Sequence, residues 1–329
     1  MKEPILTLFI ALLLDLLLGD PDVSFHPVRL MGHFIEDIKG LLKGMTFLGD
    51  RVKGVVLLVV TGGFFSGATW LFTSYLWKNH PMVGVVASGI ILYSTIGLRS
   101  LGDEAMAIYH LLADKDLEAA RKRLSRIVGR RTEGLNETEV SRATIESVAE
   151  NFVDAVFAPI FYWTILGTWG AVLYRAVNTL DAMVGYKDDE HKDLGWASAR
   201  ADDLLNYIPS RLAPFFVYLA SLFLLDKRCR VKRENRRGLL RFYTGCLREG
   251  KAHESPNSGI GEAAFSLVLN VCLGGPTLYS HGVRQRPFMN QGAPPPDPKG
   301  IFCSVRLLHT SALWATVLVW SISGLKHLL

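Results

Sequence analysis

Four acids set the first chemical question: Glu139, Glu146, Glu150 and Asp154. The last three are spaced i, i+4, i+8, which on an α-helix places them within an arc of roughly 80°. Like charges at that spacing repel, and the apolar run that begins at Val153 raises the cost of keeping them charged. Bases such as Arg142 would offset the repulsion, and so would a divalent cation. Oxygen-only ligands with Asn151 beside them suit Mg2+ bridging to phosphate. A short echo, Asn151-Phe-Val-Asp154-Ala and Asn178-Thr-Leu-Asp181-Ala, adds Asp181 to a candidate metal set of Glu146, Glu150, Asp154 and Asp181.

A second polar cluster follows: Arg175, Asn178, Asp181, Lys187, Asp188, Asp189, Glu190 and His191, then Arg200, Asp202, Asp203, Asn206 and Arg211. Arg211 stands inside an apolar stretch, where an ionisable residue is a functional hypothesis by default; a snorkelling anchor is the plainer reading. Two turns each offer a histidine as general base: His26 in His26-Pro27-Val28-Arg29, and His253 in His253-Glu-Ser255-Pro256-Asn257-Ser258-Gly259. The chain has no P-loop pattern, so a nucleotide would not be held in that way. Gly259-Ile-Gly261-Glu-Ala-Ala264 has dinucleotide-like spacing, but a polar turn precedes it where a strand is needed.

The elements that must position these residues are apolar helices. The chain has 329 residues, 49% of them hydrophobic, and their distribution is more telling than their average. Apolar stretches lie near 4–18, 55–77, 82–98, 153–174, 207–225 and 307–325, and runs of roughly 17 to 25 such residues span a bilayer. The sequence therefore predicts an all-α, multi-pass helical membrane protein, one integral membrane domain over 1–329 with long cytoplasmic helical loops. The first stretch lacks a small-residue cleavage site and is broken by Asp15, so it reads as a retained helix and not a signal peptide. Pro159, Gly167 and Gly170 suggest that 153–174 is broken or re-entrant, which is allowed where protein surrounds it.

Lys and Arg crowd Gly19–Gly54, Arg99–Asn151 and Asp226–Arg306, which the positive-inside rule assigns to the cytoplasm of a cell-membrane protein. That accounts for the net charge of +5 without a nucleic-acid partner. The basic run Lys227, Arg228, Arg230, Lys232, Arg233, Arg236, Arg237 and Arg241 suits anionic lipid headgroups. Asp103–Asn151 has helical periodicity, and Gln291–Lys299, with Pro294, Pro295, Pro296 and Pro298, reads as an extended loop. The four cysteines (Cys229, Cys246, Cys272 and Cys303) show no CxxC spacing. In a reducing compartment this argues against disulfides and a zinc site.

Several blocks are similar to one known family. They are Asp15–Pro21, His26–Gly32, Gly97–Tyr109, Leu124–Arg130, Arg142–Pro159, Tyr174–Lys187, Ser198–Arg211 and His253–Glu262. In order and composition they closely resemble the adenosylcobinamide-phosphate synthase family, over about residues 10–290. Arg131 departs from the pattern, which has an acid there.

The resemblance implies ATP-dependent amide formation between adenosylcobyric acid and (R)-1-aminopropan-2-ol phosphate in a multi-pass membrane protein. ATP and Mg2+ are then the expected cofactors, with the active site on the cytoplasmic side. His26 and His253 are the candidate bases for the substrate ammonium. Arg99, Arg175, Asn178, Arg200, Arg211, Ser255 and Asn257 are the candidate substrate- and phosphate-binding set. The corrin would need an apolar surface, for which Phe152, Phe157, Phe161, Tyr162 and Trp163 are candidates beside their plainer role in packing. Whether the chain forms a homo-oligomer is not set by the sequence. Two alternatives stay open: a Mg-dependent membrane prenyl- or phosphatidyl-type transferase, which paired acid motifs would also serve, and a non-enzymatic transporter with Asp15, Asp154 and Arg211 lining a path.

Overall fold

The computed structural model describes residues 5–20, 26–185, 192–224, 229, 238–251, 253, 255–279 and 282–328. Lys187, Asp188, Asp189, Glu190 and His191 of the second polar cluster lie outside the described residues, as does all of the basic run except Arg241. The elements in order are α1 (Ile5–Leu18), α2 (Pro27–Lys43), α3 (Asp50–Asn79), α4 (Pro81–Tyr93), α5 (Leu98–Ala113), α6 (Leu117–Leu124) and α7 (Glu137–Asn151). A π-helical segment, Phe152–Phe157, comes next, then α8 (Ala158–Leu166), α9 (Thr168–Val184), α10 (Trp196–Phe223), α11 (Leu239–Gly250) and α12 (Ser258–Leu269). Short strands β1 (Leu273–Gly274), β2 (Thr277–Tyr279), β3 (Gly282–Arg284) and β4 (Phe288–Met289) precede α13 (Pro298–Leu328).

The fold is predominantly helical, with two small antiparallel ribbons that the periodicity did not reveal. One pairs β1 with β4, Leu273 opposite Met289; the other pairs β2 with β3, Leu278 opposite Val283. Among the described residues three helical stretches are long and apolar enough to cross a membrane: Asp50–Asn79, Pro81–Ala113 and Pro298–Ser321. A 30-residue helix such as α3 is about 45 Å long, against a hydrocarbon core of about 30 Å. Its Val59, Trp70, Leu71 and Tyr75 are exposed on the protein surface, as expected where lipid rather than water is the neighbour.

Two of the expected spans are built differently. The 153–174 stretch is interrupted at Gly167, which adopts φ 84° and ψ −169°, a conformation open to glycine and strained for other residues. This ends the unbroken helical run of α7, the π-helical segment and α8 at Leu166, inside the expected 153–174 stretch. The 207–225 stretch is the second half of the 28-residue α10, which carries Pro209 and Pro214 inside it.

The chain divides into two compact units. Unit 1 comprises Met1–Gly97, Asp154–Asn206 and Val319–Leu329. Here α9 packs on α2, α3, α4 and α8, and α1 on α4. Ile35, Leu42, Leu57, Leu180 and Val184 form one core cluster, and Met31, Val172 and Ala176 another.

Unit 2 comprises Leu98–Val153 and Tyr207–Leu318. In it α7 packs on α5, α6 and α12, and α12 packs on α11. The start of α7 is fixed by a capping box: Asn136 accepts from Glu139 N at 3.0 Å, and Glu139 accepts from Asn136 N at 2.8 Å. Glu139, the first acid of the ladder, is thus engaged in starting the helix. Unit 2 also overturns the expectation of unpaired cysteines: Cys229 and Cys303 form a disulfide. Phe223 of α10 packs 4.8 Å from Trp314 of α13, and the two cysteine Cα atoms stand 5.5 Å apart, within bridging range. Residues 74 apart in sequence give no spacing signal for such a contact.

Candidate active site

Unit 2 holds a buried ionic network centred on Arg286, just before β4. Its Nη1 donates to Glu146 Oε2 at 3.1 Å, and its Nη2 reaches Glu262 Oε1 and Oε2 at 2.7 and 2.8 Å. The same Nη2 lies 2.7 Å from His253 Nε2. Glu146, on α7, also accepts from Arg130 Nη2 at 2.6 Å and from Gly274 N at 2.7 Å. Gly274 has φ +79°, which a side chain would strain, and its carbonyl accepts from Arg142 at 3.2 Å. The ribbon is therefore tied to α7 by both of its main-chain polar groups at one residue.

Charge decides the protonation states. Glu146 and Glu262 are each 1% exposed. Burial pushes Glu146 up, yet Arg130 and Arg286 outweigh it and hold the carboxyl below its ordinary range. For Glu262 burial dominates, reinforced by the Glu146 carboxylate, and lifts it to about 8 despite Arg286. His253 is held below the usual histidine range by burial first and then by Arg286, against the pull of Glu150 and Glu146. It is therefore a neutral imidazole at neutral pH.

Next to this network three of the predicted binding residues come together. Arg211 Nη1 donates to Asn257 Oδ1 at 3.2 Å, to Ser210 Oγ at 3.3 Å and to Tyr207 O at 2.8 Å. Its guanidinium carbon stands 3.5 Å from the Tyr207 ring centroid. Ser255 Oγ caps the same turn, accepting from Asn257 N and Ser258 N, both at 3.3 Å. Among the described residues Arg211 pairs with no acid, and the partners of its guanidinium there are neutral.

Unit 1 holds the other cluster. His26 Nε2 lies 2.9 Å from Asp20 Oδ1, and this hydrogen bond holds Asp20 below the usual carboxylate range. Asp202 accepts from Asn178 at 3.2 Å and from Asn206 at 3.0 Å, and Asn206 in turn accepts from Tyr174 at 2.8 Å. Arg175, one turn before Asn178 on α9, donates from Nη1 to Asn178 Oδ1 at 3.5 Å. Its buried Nε has no partner among the described residues.

The remaining predicted residues are dispersed. Arg99 pairs with Asp103 one turn along α5, at 3.2 Å. Arg200 is exposed on α10 and forms no hydrogen bond among the described residues. A π-helical segment begins at Phe152, so the backbone between Glu150 and Asp154 of the acid ladder is not regular α-helix. Glu146 is taken by two guanidinia, as a structural ion pair would be. Among the described residues no three His, Cys, Asp or Glu side chains are grouped to hold a metal ion. Of the expected metal set Glu146, Glu150, Asp154 and Asp181, Glu146 is thus already occupied by Arg130 and Arg286. Phe152, Phe157 and Trp163 are buried in packing and present no open surface to a corrin.

Sequence reading missed Asp20, Glu262 and Arg286 as site residues. Glu262 did leave a signal, as the one acid in the apolar run from Ile260 to Leu273. Arg286 left none, because the ribbon that delivers it has strands of only 2 or 3 residues.

Three helical stretches long and apolar enough to cross a membrane fit a membrane-associated helical protein. The chain matches the CobD/Cbib protein family over residues 8–308. It is 40% identical over 299 residues to the cobalamin biosynthesis protein CobD of Geobacter metallireducens, covering 91% of this chain and 90% of that one. It is 37% identical over 315 residues to the protein of the same name from Halalkalibacterium halodurans, covering 95% of each. With the Listeria monocytogenes serotype 4b protein of that name it shares 37% over 312 residues, 94% of this chain and 95% of the other. The chain belongs to the CobD/Cbib family, and its role lies in cobalamin biosynthesis. No solved structure matches it.

Proposed function

We propose that the protein joins adenosylcobyric acid to (R)-1-aminopropan-2-ol phosphate in an ATP-dependent amide synthesis, giving adenosylcobinamide phosphate. The observation that carries this reading is Arg211 beside Asn257 and Ser255: a guanidinium whose partners among the described residues are neutral, at a turn rich in hydrogen-bonding groups. A phosphate would supply the missing negative charge and two parallel acceptors. Arg175, enclosed and under-partnered in unit 1, is a second seat of the same chemistry.

A carboxylate must be activated before an amine can displace oxygen from it. Transfer of the γ-phosphoryl group of ATP to the corrinoid carboxylate would release ADP and give an acyl phosphate. Attack by the amine then expels inorganic phosphate, and the ammonium proton must leave. His26 is the better placed base. Asp20 takes its Nε2–H, which leaves Nδ1 as the nitrogen with a lone pair. The Nε2 of His253 already faces a guanidinium. ATP would arrive as its magnesium complex, the cation carried chiefly by phosphate oxygens.

The basic loops support a multi-pass protein of the cell membrane with these sites turned to cytoplasmic ATP. The test of the carrying observation is kinetic. Arg211→Lys keeps the charge and loses the fork, so the KM for aminopropanol phosphate or ATP should rise while the protein stays folded. Unchanged constants for both would make Arg211 an anchor.

A further inference from the structure

His253 has N–H donors at both ring nitrogens. Arg286 Nη2 is 2.7 Å from Nε2, and Ser255 N points at Nδ1 from 3.0 Å, with Ser255 O at 3.3 Å from the same atom. A neutral imidazole has one lone pair and one N–H, so the two donors compete. A guanidinium nitrogen cannot accept a hydrogen bond. At 2.7 Å, Nε2 must therefore be the lone-pair nitrogen, which puts the proton on Nδ1 with Ser255 O to receive it.

We infer that Arg286 is a positioning residue, which fixes His253 in its Nδ1–H tautomer and through it sets the Ser255–Asn257 turn that faces Arg211. The guanidinium is itself held by Glu262 and Glu146, so it cannot swing away from the ring without breaking three buried hydrogen bonds. Ser255 is the residue whose main chain meets the ring, and its Oγ receives the N–H groups of Asn257 and Ser258. Asn257 Oδ1 in turn receives Arg211 and Ser210. Contact thus runs unbroken from Arg286 to Arg211 within unit 2. Without Arg286 the tautomer that suits the Ser255 N–H, with Nδ1 as acceptor and Nε2 protonated, becomes available. The consequence for catalysis rests on the phosphate seat proposed above; the tautomer does not.

The test is 15N NMR of the full-length protein labelled in histidine ring nitrogens, with His253 assigned by its loss in His253→Gln. In the unmodified protein Nε2 should resonate as a lone-pair nitrogen and Nδ1 as a protonated one. Arg286→Met takes the guanidinium from Glu262 and one of two guanidinia from Glu146, and risks misfolding. The companion variant Arg286→Met/Glu262→Gln removes the guanidinium together with the carboxyl group that it meets through two hydrogen bonds. In either folded variant the proton should move toward Nε2, and the KM for aminopropanol phosphate should rise several-fold with a smaller change in kcat. A proton on Nε2 in the unmodified protein, or the same tautomer in all three proteins, overturns the inference. A tautomer that moves while KM stays fixed upholds the positioning role and overturns the phosphate seat at Asn257 and Arg211 instead.

Discussion

Asp20 and His26 form an acid–imidazole pair, 2.9 Å between Oδ1 and Nε2, at the start of α2. The carboxylate fixes which nitrogen carries the proton and so which one can take another. If that pair serves as the base, Asp20→Asn should lower kcat with little change in KM, because it disturbs the tautomer and not the binding. His26→Gln should lower it by roughly 10²-fold or more. The double variant should be no worse than His26→Gln alone, since residues that act as a unit are not additive. Steady-state kinetics on the three purified proteins decides the matter; additive losses would separate the two residues.

The Glu262 carboxyl gives a pH dependence of stability. Its folded pKa, about 8, lies above the ordinary value of 4.5. The proton is therefore bound more tightly in the folded state, and the stabilisation is fully present below about pH 4.5. It is lost as the pH rises through about 8. Thermal midpoints in detergent should fall between pH 5 and pH 8.5, and Glu262→Gln should flatten that decline. Glu146 works with the opposite sign, since its lowered pKa contributes above about pH 4.5 and is lost on acidification. A decline of the same steepness in Glu262→Gln would remove Glu262 as its source.

Glu146→Gln should act on folding before it acts on turnover. It takes the charge from between Arg130 and Arg286, and breaking a buried pair costs about 3–5 kcal/mol. A lower yield of folded protein and a lower thermal midpoint are the expected result. A metal ligand would instead give folded protein with weakened cation dependence.

Asn136→Ala should cost about 1 kcal/mol by removing the cap of α7, read as a lower midpoint with unchanged KM. A change in KM at unchanged stability would assign the cap a place in the site.

What the sequence made legible follows from locality. Helix periods and charge-free stretches are local, and the stretches near 4–18, 55–77, 82–98 and 307–325 overlap α1, α3, α4 and α13. The ladder of Glu146, Glu150 and Asp154 assumed one unbroken α-helix, and no local rule announces the π-helical turn at Phe152. Arg211, Ser255 and Asn257 were legible as polar groups at turns or in apolar surroundings, and the fold brings them together. Arg286 was invisible because its meaning depends on a ribbon closed by contacts with α7. The disulfide between Cys229 and Cys303 depends on α10 meeting α13, and the compartment argument had no access to that packing.

The central claim is tested most directly by chemistry. Purified protein in lipid nanodiscs is incubated with adenosylcobyric acid, (R)-1-aminopropan-2-ol phosphate and Mg-ATP, and the corrinoid is followed by mass spectrometry. Adenosylcobinamide phosphate should form, with one ADP and one inorganic phosphate per amide bond, and no product when ATP is omitted. Folded protein that yields no amide under these conditions, or that yields it without consuming ATP, would contradict it.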